Sequence, residues 1–320
     1  MYNKPNLLIY QDLVQPLESA INELNEILKN YLNDAGYEAF INKGIFAYVL
    51  SLLEGSVAEC VERYLFAFPE KLPKGKIDFE KYRGEILGAD FSYELTALLI
   101  QDYLFEISYE NGGVLLNKYC QLLGVTNLSS LFNKSLIEKK ARRNSLIHNN
   151  LKVDSKYIWT AKSDPRDKGK YLLIRPKYVI ETIEAILEIL QKLQAELEVK
   201  YGAYTILKAV KDVWAYLFQS PIMKFDDYWG ISEDMLYIKT EGIKKHYNNL
   251  SSSERTLLFY FLQNYSPGAC EKIFKLHDLN MQVSNNHQMI FIVSVFDRFP
   301  LLLQNLKSIQ PASFLKYVRE

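Results

Sequence analysis

Apolar residues recur every third or fourth position through most of this chain, the spacing of helices that bury one stripe. Leu17, Ile21, Leu24, Leu28 and Tyr31 step 4-3-4-3 behind Pro16, which predicts a helix from there to about Asn33 after an extended lead-in over residues 1–14. Phe40, Ile45, Val49, Leu52, Val57, Cys60 and Tyr64 predict a longer helix over 37–67, ended by Pro69 and Pro73. Gly44 and Gly55 inside it are expected to mark close helix contacts. Residues 69–89 read as a loop with one short helix at 78–86, and helical spacing returns from about Asp90 to Ile107 and from Val114 to Leu123. A further helix is predicted from Asn127 to about His148, with Leu131, Phe132, Leu136, Ile137, Ala141, Ser145 and Leu146 toward the core and Leu146 and Ile147 pinning its end.

After Asn150 the pattern changes. Lys156–Ala161 and Lys170–Arg175 are rich in aromatic and β-branched residues around Ser163-Asp-Pro-Arg-Asp-Lys-Gly, which predicts two short strands in a small hairpin. From Pro176, Val179, Ile183, Ile186, Leu190, Leu193 and Leu197 repeat 4-3-4-3-4, a seam read as a packing face inside a bundle rather than between two chains. Tyr201-Gly202 closes that helix and sets the expected boundary between a first domain, 1–202, and a second helical domain, 203–320. In the second, one helix carrying Ile206, Val210, Val213, Trp214 and Leu217 is predicted up to Pro221, and others at 232–247, 269–276 and 286–306, with an aromatic, acidic loop at 225–230; the Tyr- and Trp-rich segment 225–237 could recognise a partner, and burial in the core is the favoured reading. Ser251 and Glu254 have capping-box spacing. The expected fold class is all-α with one small β-hairpin insertion.

Charge changes this picture locally. The whole chain has formal net charge zero, yet residues 131–180 hold 13 Lys and Arg against 4 acids, so the remainder is as negative as this stretch is positive. A basic stretch of this kind is the footprint of phosphate binding, and equally that of a solvated lysine-rich loop at 162–170. Three scattered cysteines form neither a disulfide framework nor a zinc spacing, and no metal or cofactor motif occurs. No unbroken apolar run approaches about 18 residues, so no membrane span and a cytoplasmic location are expected.

The basic stretch contains Glu138-Lys-Lys-Ala-Arg-Arg-Asn-Ser-Leu-Ile-His148. Arginine offers a permanently charged fork to phosphate, and histidine exchanges protons near neutrality. Arg143 and His148 together could cleave RNA without metal: the imidazole takes the 2′-hydroxyl proton and the guanidinium holds the charge growing on phosphorus. On a straight helix the two lie about 140° apart at about 100° per residue, whereas Asn144 and His148 share a face. The site therefore needs a bent helix end, a curled Arg143 or a second copy of the chain. The plainer reading is a solvated helix face with an ordinary Glu138–Arg142 pair and His148 at the helix C-terminus.

Arg143-Asn144-Ser145-Leu146-Ile147-His148 resembles the signature of the HEPN superfamily, and the following Asn149-Asn150, Val153-Asp154 and Tyr157 resemble its sequel. Glu138 resembles an upstream acid of some members, and Leu151 stands where glycine is common. The likeness covers about residues 10–200. It implies a HEPN-like helical bundle, usually a homodimer, acting as a metal-independent endoribonuclease in toxin or anti-phage defence systems and leaving 2′,3′-cyclic phosphate ends. Arg143 and His148 would be catalytic, and Asn144, Glu138 and Asn149 auxiliary. Lys139, Lys140, Arg142, Lys168 and Lys170 would hold RNA, and residues 203–320 would meet an antitoxin or other regulatory partner. The alternatives are a non-catalytic helical module binding RNA, a nucleotide or a protein, and a scaffold subunit whose dimer is its function.

Overall fold

Helices carry most of the chain in the computed structural model, which describes residues 8–33, 39–73, 81–84, 92–110, 112–125, 128, 134–218, 220–232, 235–251, 254–255, 258 and 318–319. The predicted helices at 269–276 and 286–306, most of that at 78–86, the start of the one at 127, and Cys270, His277 and His287 lie outside the described residues. Two compact units form. One comprises Tyr10–Lys74 and Leu98–Ala203, the other Met1–Ile9, Gly75–Ala97 and Tyr204–Glu320, so neither is one continuous stretch.

The first unit is a bundle of α1 (Tyr10–Asn33), α2 (Ala39–Ala67), the part of α3 (Ser92–Ser108) from Leu98 onward, α4 (Gly112–Leu122), α5 (Lys134–Asn149), α6 (Ser155–Ala161) and α7 (Pro176–Tyr201). At its centre α1, α2 and α7 pack on one another, and α4 and α5 lie against α2. Every residue of the 176–201 heptad seam is buried within this unit. Cys60 and Cys120 are buried free thiols, and burial pushes both thiol pKa values up. α2 is long and apolar enough to cross a membrane by length and composition, although it contains no long uncharged run at the sequence level.

Three expectations are corrected here. Of the predicted extended lead-in, residues 1–7 lie outside the described residues and the last part is helical, because α1 starts at Tyr10 and holds Pro16 in its interior. A proline there cannot donate to the carbonyl four residues back, which belongs to Asp12. The Arg63 guanidinium donates to that carbonyl instead, and to Gln15 and Glu59 at 2.8 and 2.6 Å. Gly44 and Gly55 mark no close contact: a Cβ on either would meet nothing within 4 Å. The hairpin at 156–175 is absent. Asp154 accepts the Tyr157 N–H at 2.7 Å and caps a helix, and left-handed Lys162 (φ 51°) ends it. Tyr157 and Ala161, one turn apart, bury against Ala141 and Val153, so helical spacing outweighs β propensity. Of the second strand there remains one bridge, Lys152 to Tyr171.

In the second unit, α8 (Ile206–Leu217) is capped by Thr205 and presents Trp214, 1% exposed, to Phe218, Phe225, Tyr228 and Trp229 at 4.3–6.1 Å between ring centres. The Trp214 indole donates to the Met223 carbonyl at 2.6 Å. The aromatic segment is thus core, as its composition predicts. After the single turn α9 (Phe225–Tyr228), β1 (Trp229–Ser232) pairs antiparallel with β2 (Met235–Lys239), and Val318–Arg319 adds a short parallel β3. The predicted helix over 232–247 is therefore a strand followed by α10 (Thr240–His246). Gly242 sits where a Cβ would strike the Asp227 carbonyl at 1.9 Å. Ser251 and Glu254 form the predicted capping box, with reciprocal bonds of 2.8 and 3.2 Å.

Candidate functional site

α5 carries Arg143 through His148 and runs unbroken from Lys134 to Asn149. Its end is fixed by several bonds. The Leu151 N–H donates to the Ser145 carbonyl at 2.9 Å, while the Ser145 hydroxyl and the Asn149 amide both donate to the Lys152 carbonyl at 3.0 and 2.8 Å. Asn150 and Leu151 are left-handed, φ 47° and 64°. Leucine thus adopts the conformation that glycine takes more easily, at a cost of about 1–2 kcal/mol, and its side chain is buried.

Lys140, Asn144 and His148 follow one another at four-residue intervals and line one side of a cavity of about 180 Å³. Asn149, Asp154, Lys156 and Tyr157 line it from the end of α5 and from α6, and Tyr109 and Glu110 from the end of α3. His148 is exposed, as is Ile147, which at 55% exposure does not pin the helix as expected. The lining brings together two lysines, an imidazole and two amides, along with the carboxylates of Glu110 and Asp154, a mixed polar surface that fits a small polar group.

Arg143 does not line this cavity. Its Nη2 reaches Glu54 on α2, Oε2 at 2.6 Å, and Lys140 Nζ meets the other oxygen of the same carboxylate at 2.7 Å. The structure therefore brings His148 together with Asn144, Lys140 and Asn149, and separates it from Arg143. Glu138 turns elsewhere: it accepts from the hydroxyls of Tyr157 and Tyr178, both at 2.5 Å, and pairs with Arg142 at 2.7 Å. Arg142 also donates to the Leu173 carbonyl and lies 4.2 Å from the Tyr178 ring centre. Burial, then the bond to Glu138, pushes the Tyr157 hydroxyl up to about 12, and Tyr178 is raised by the same causes. Lys139 is buried, bonded to Ser135 at 2.9 Å, and burial lowers its pKa. Lys168 and Lys170 are exposed and outside the cavity, Lys170 pairing with Asp167 at 2.8 Å.

Compared with family models, with curated proteins and with solved structures, the chain matches none.

Sequence reasoning missed Glu54, Lys156 and Tyr109. Glu54 left one signal, being the sole charged residue between Lys43 and Glu59 in an otherwise apolar helical stretch. Lys156 was hidden by the strand reading of its segment, since a strand would not turn it toward α5.

Proposed function

We propose that the protein is a metal-independent endoribonuclease of the HEPN type, a homodimer serving as a toxin or anti-phage defence effector. One observation supports this above the rest: Lys140, Asn144 and His148 share one helix face on one cavity. In this reading His148 takes the proton from a ribose 2′-hydroxyl, whose oxygen attacks the adjacent phosphorus. The P–O5′ bond breaks and the proton held by His148 passes to the departing 5′-oxygen through water, leaving a 2′,3′-cyclic phosphate and a 5′-hydroxyl. Lys140 and Lys156 hold the charge on the phosphate, and Asn144 orients it. Arg143 supports Lys140 through Glu54 rather than meeting the phosphate within one protomer. Ile147 and Trp159, exposed at 55% and 73%, lie on the two helices that carry the cavity and offer apolar surface to a second copy.

The purified protein is expected to cleave RNA in the presence of EDTA, with cyclic phosphate ends, and His148→Ala to lose at least about a hundredfold in rate. Equal cleavage by the variant and the wild type, or loss of cleavage in EDTA, would overturn the reading. The Arg143–Glu54 pair favours a second reading, a non-catalytic module that holds RNA or another polyanion on the same face. Filter binding with a steep salt dependence and no cleavage would select it.

A further inference from the structure

Glu54 belongs to α2, yet both of its oxygens are engaged by cations of α5. The three side chains are well shielded, with exposures of 24% for Glu54, 14% for Lys140 and 17% for Arg143. Ion pairs in such surroundings are screened less than surface pairs, and breaking one strands a charge. Arg143 has a particular dependence on this carboxylate. Its Nε–H is buried and meets no hydrogen-bond partner among the described residues, so Glu54 is the acceptor that holds the guanidinium.

We propose that Glu54 is the positioning residue of this site, a carboxylate that fixes the Lys140 ammonium on the cavity wall and braces it with Arg143. The assignment rests on the ribonuclease reading above. Lysine has a flexible four-carbon stem, and an unrestrained ammonium samples many positions at an entropic cost when it must be still. One contact to Glu54 fixes Lys140 and leaves two of its three N–H donors for a phosphate oxygen. Arg143 occupies the second carboxylate oxygen and keeps Glu54 from turning toward the cavity. The rigid part of the site is therefore an α2–α5 clamp, not a feature of the signature helix alone. Glu54 does not touch the reacting atoms, and the proposal gives it no proton to carry.

The test is steady-state cleavage of a short RNA by the full chain with Glu54→Gln, Lys140→Met and both changes together. Glu54→Gln is expected to lower kcat by roughly tenfold to a hundredfold, the effect of small misplacement of a catalytic group. KM is expected to fall, because one negative charge leaves the neighbourhood of the phosphate. In the Lys140→Met background the Glu54 change is expected to add almost nothing to the loss in kcat, since both act through one ammonium. A merely structural glutamate would give additive losses and an unchanged KM, and that result, or a wild-type kcat, overturns the assignment. If Glu54→Gln does not fold, Glu54→Asp decides, as it keeps the charge and shortens the reach: a reduced kcat supports the proposal and a wild-type kcat overturns it. Cleavage that depends on His148 but not on Glu54 sinks this inference alone, whereas cleavage indifferent to His148 sinks the ribonuclease reading with it.

Discussion

At Tyr157 one hydroxyl joins α6 to the Glu138 carboxylate of α5. Unfolding exposes it and returns its pKa from about 12 to the ordinary 10.0. Above pH 10 the unfolded chain gives up this proton while the folded protein keeps it, so unfolding releases protons and stability falls as pH rises from 10 toward 12. Tyr178, raised by the same neighbours, adds to the fall, and Lys139, lowered by burial, opposes it. Urea melts of the wild type and Tyr157→Phe at pH 9, 10 and 11 isolate the Tyr157 share: the variant's stability should decline less over that range. At this scale the sequence made legible that Asn144 and His148 share a helix face, because their four-residue spacing is local. The partner of Arg143 was not, since Glu54 lies 89 positions away and no local pattern encodes that meeting.

Among the elements, α2 carries two glycines whose absent side chains face open space. Gly44→Ala and Gly55→Ala should each raise stability by about 0.5–1 kcal/mol, since alanine lowers the entropy of the unfolded chain and clashes with nothing. Thermal melts check this, and a lower Tm in either variant would show a close contact there after all. Gly124 is the opposite case. At φ +69° it ends α4, the Lys200 ammonium lies where a Cβ would stand, and Lys200 and Tyr201 of α7 donate to the Gly124 and Leu123 carbonyls at 2.8 Å. The long helices were readable because apolar residues at three- and four-residue spacing agree with burial over most of their length, completely so in α7, whereas Phe40 at the start of α2 is 81% exposed. Pro16 was misread because the group that compensates it, Arg63, comes from another helix. Residues 156–161 were misread because Tyr157 and Ala161 bury together at helical spacing behind the Asp154 cap, and this tertiary burial outweighs β-favouring composition.

For the molecule as a whole, neutrality hides a division of charge, with an excess of nine positive charges over residues 131–180 balanced elsewhere. Within that stretch Arg142, Arg143 and Lys140 pair with carboxylates, Lys140 keeping two N–H donors for another partner, and Lys139 is buried, so the number of cations free to meet a polyanion is smaller than the sequence count. Under the ribonuclease reading, Lys140, Lys156 and one or two loop lysines contact phosphates, and log affinity for single-stranded RNA should fall with log salt at a slope of about −2 to −3. Anisotropy titrations of His148→Ala from low to moderate KCl measure it, and a slope near zero would remove RNA from consideration. The expected boundary at Gly202 lies beside Ala203, where the bundle unit ends, but the membership of Met1–Ile9 and Gly75–Ala97 in the other unit had no sequence signal.

That interleaving has a consequence for biogenesis. Translation delivers the last residue of the bundle, Ala203, with Tyr204–Glu320 still to be made. The helix that bears His148 and the clamp around Glu54 can therefore assemble on the ribosome, while two earlier pieces of chain wait for most of the partner they will join.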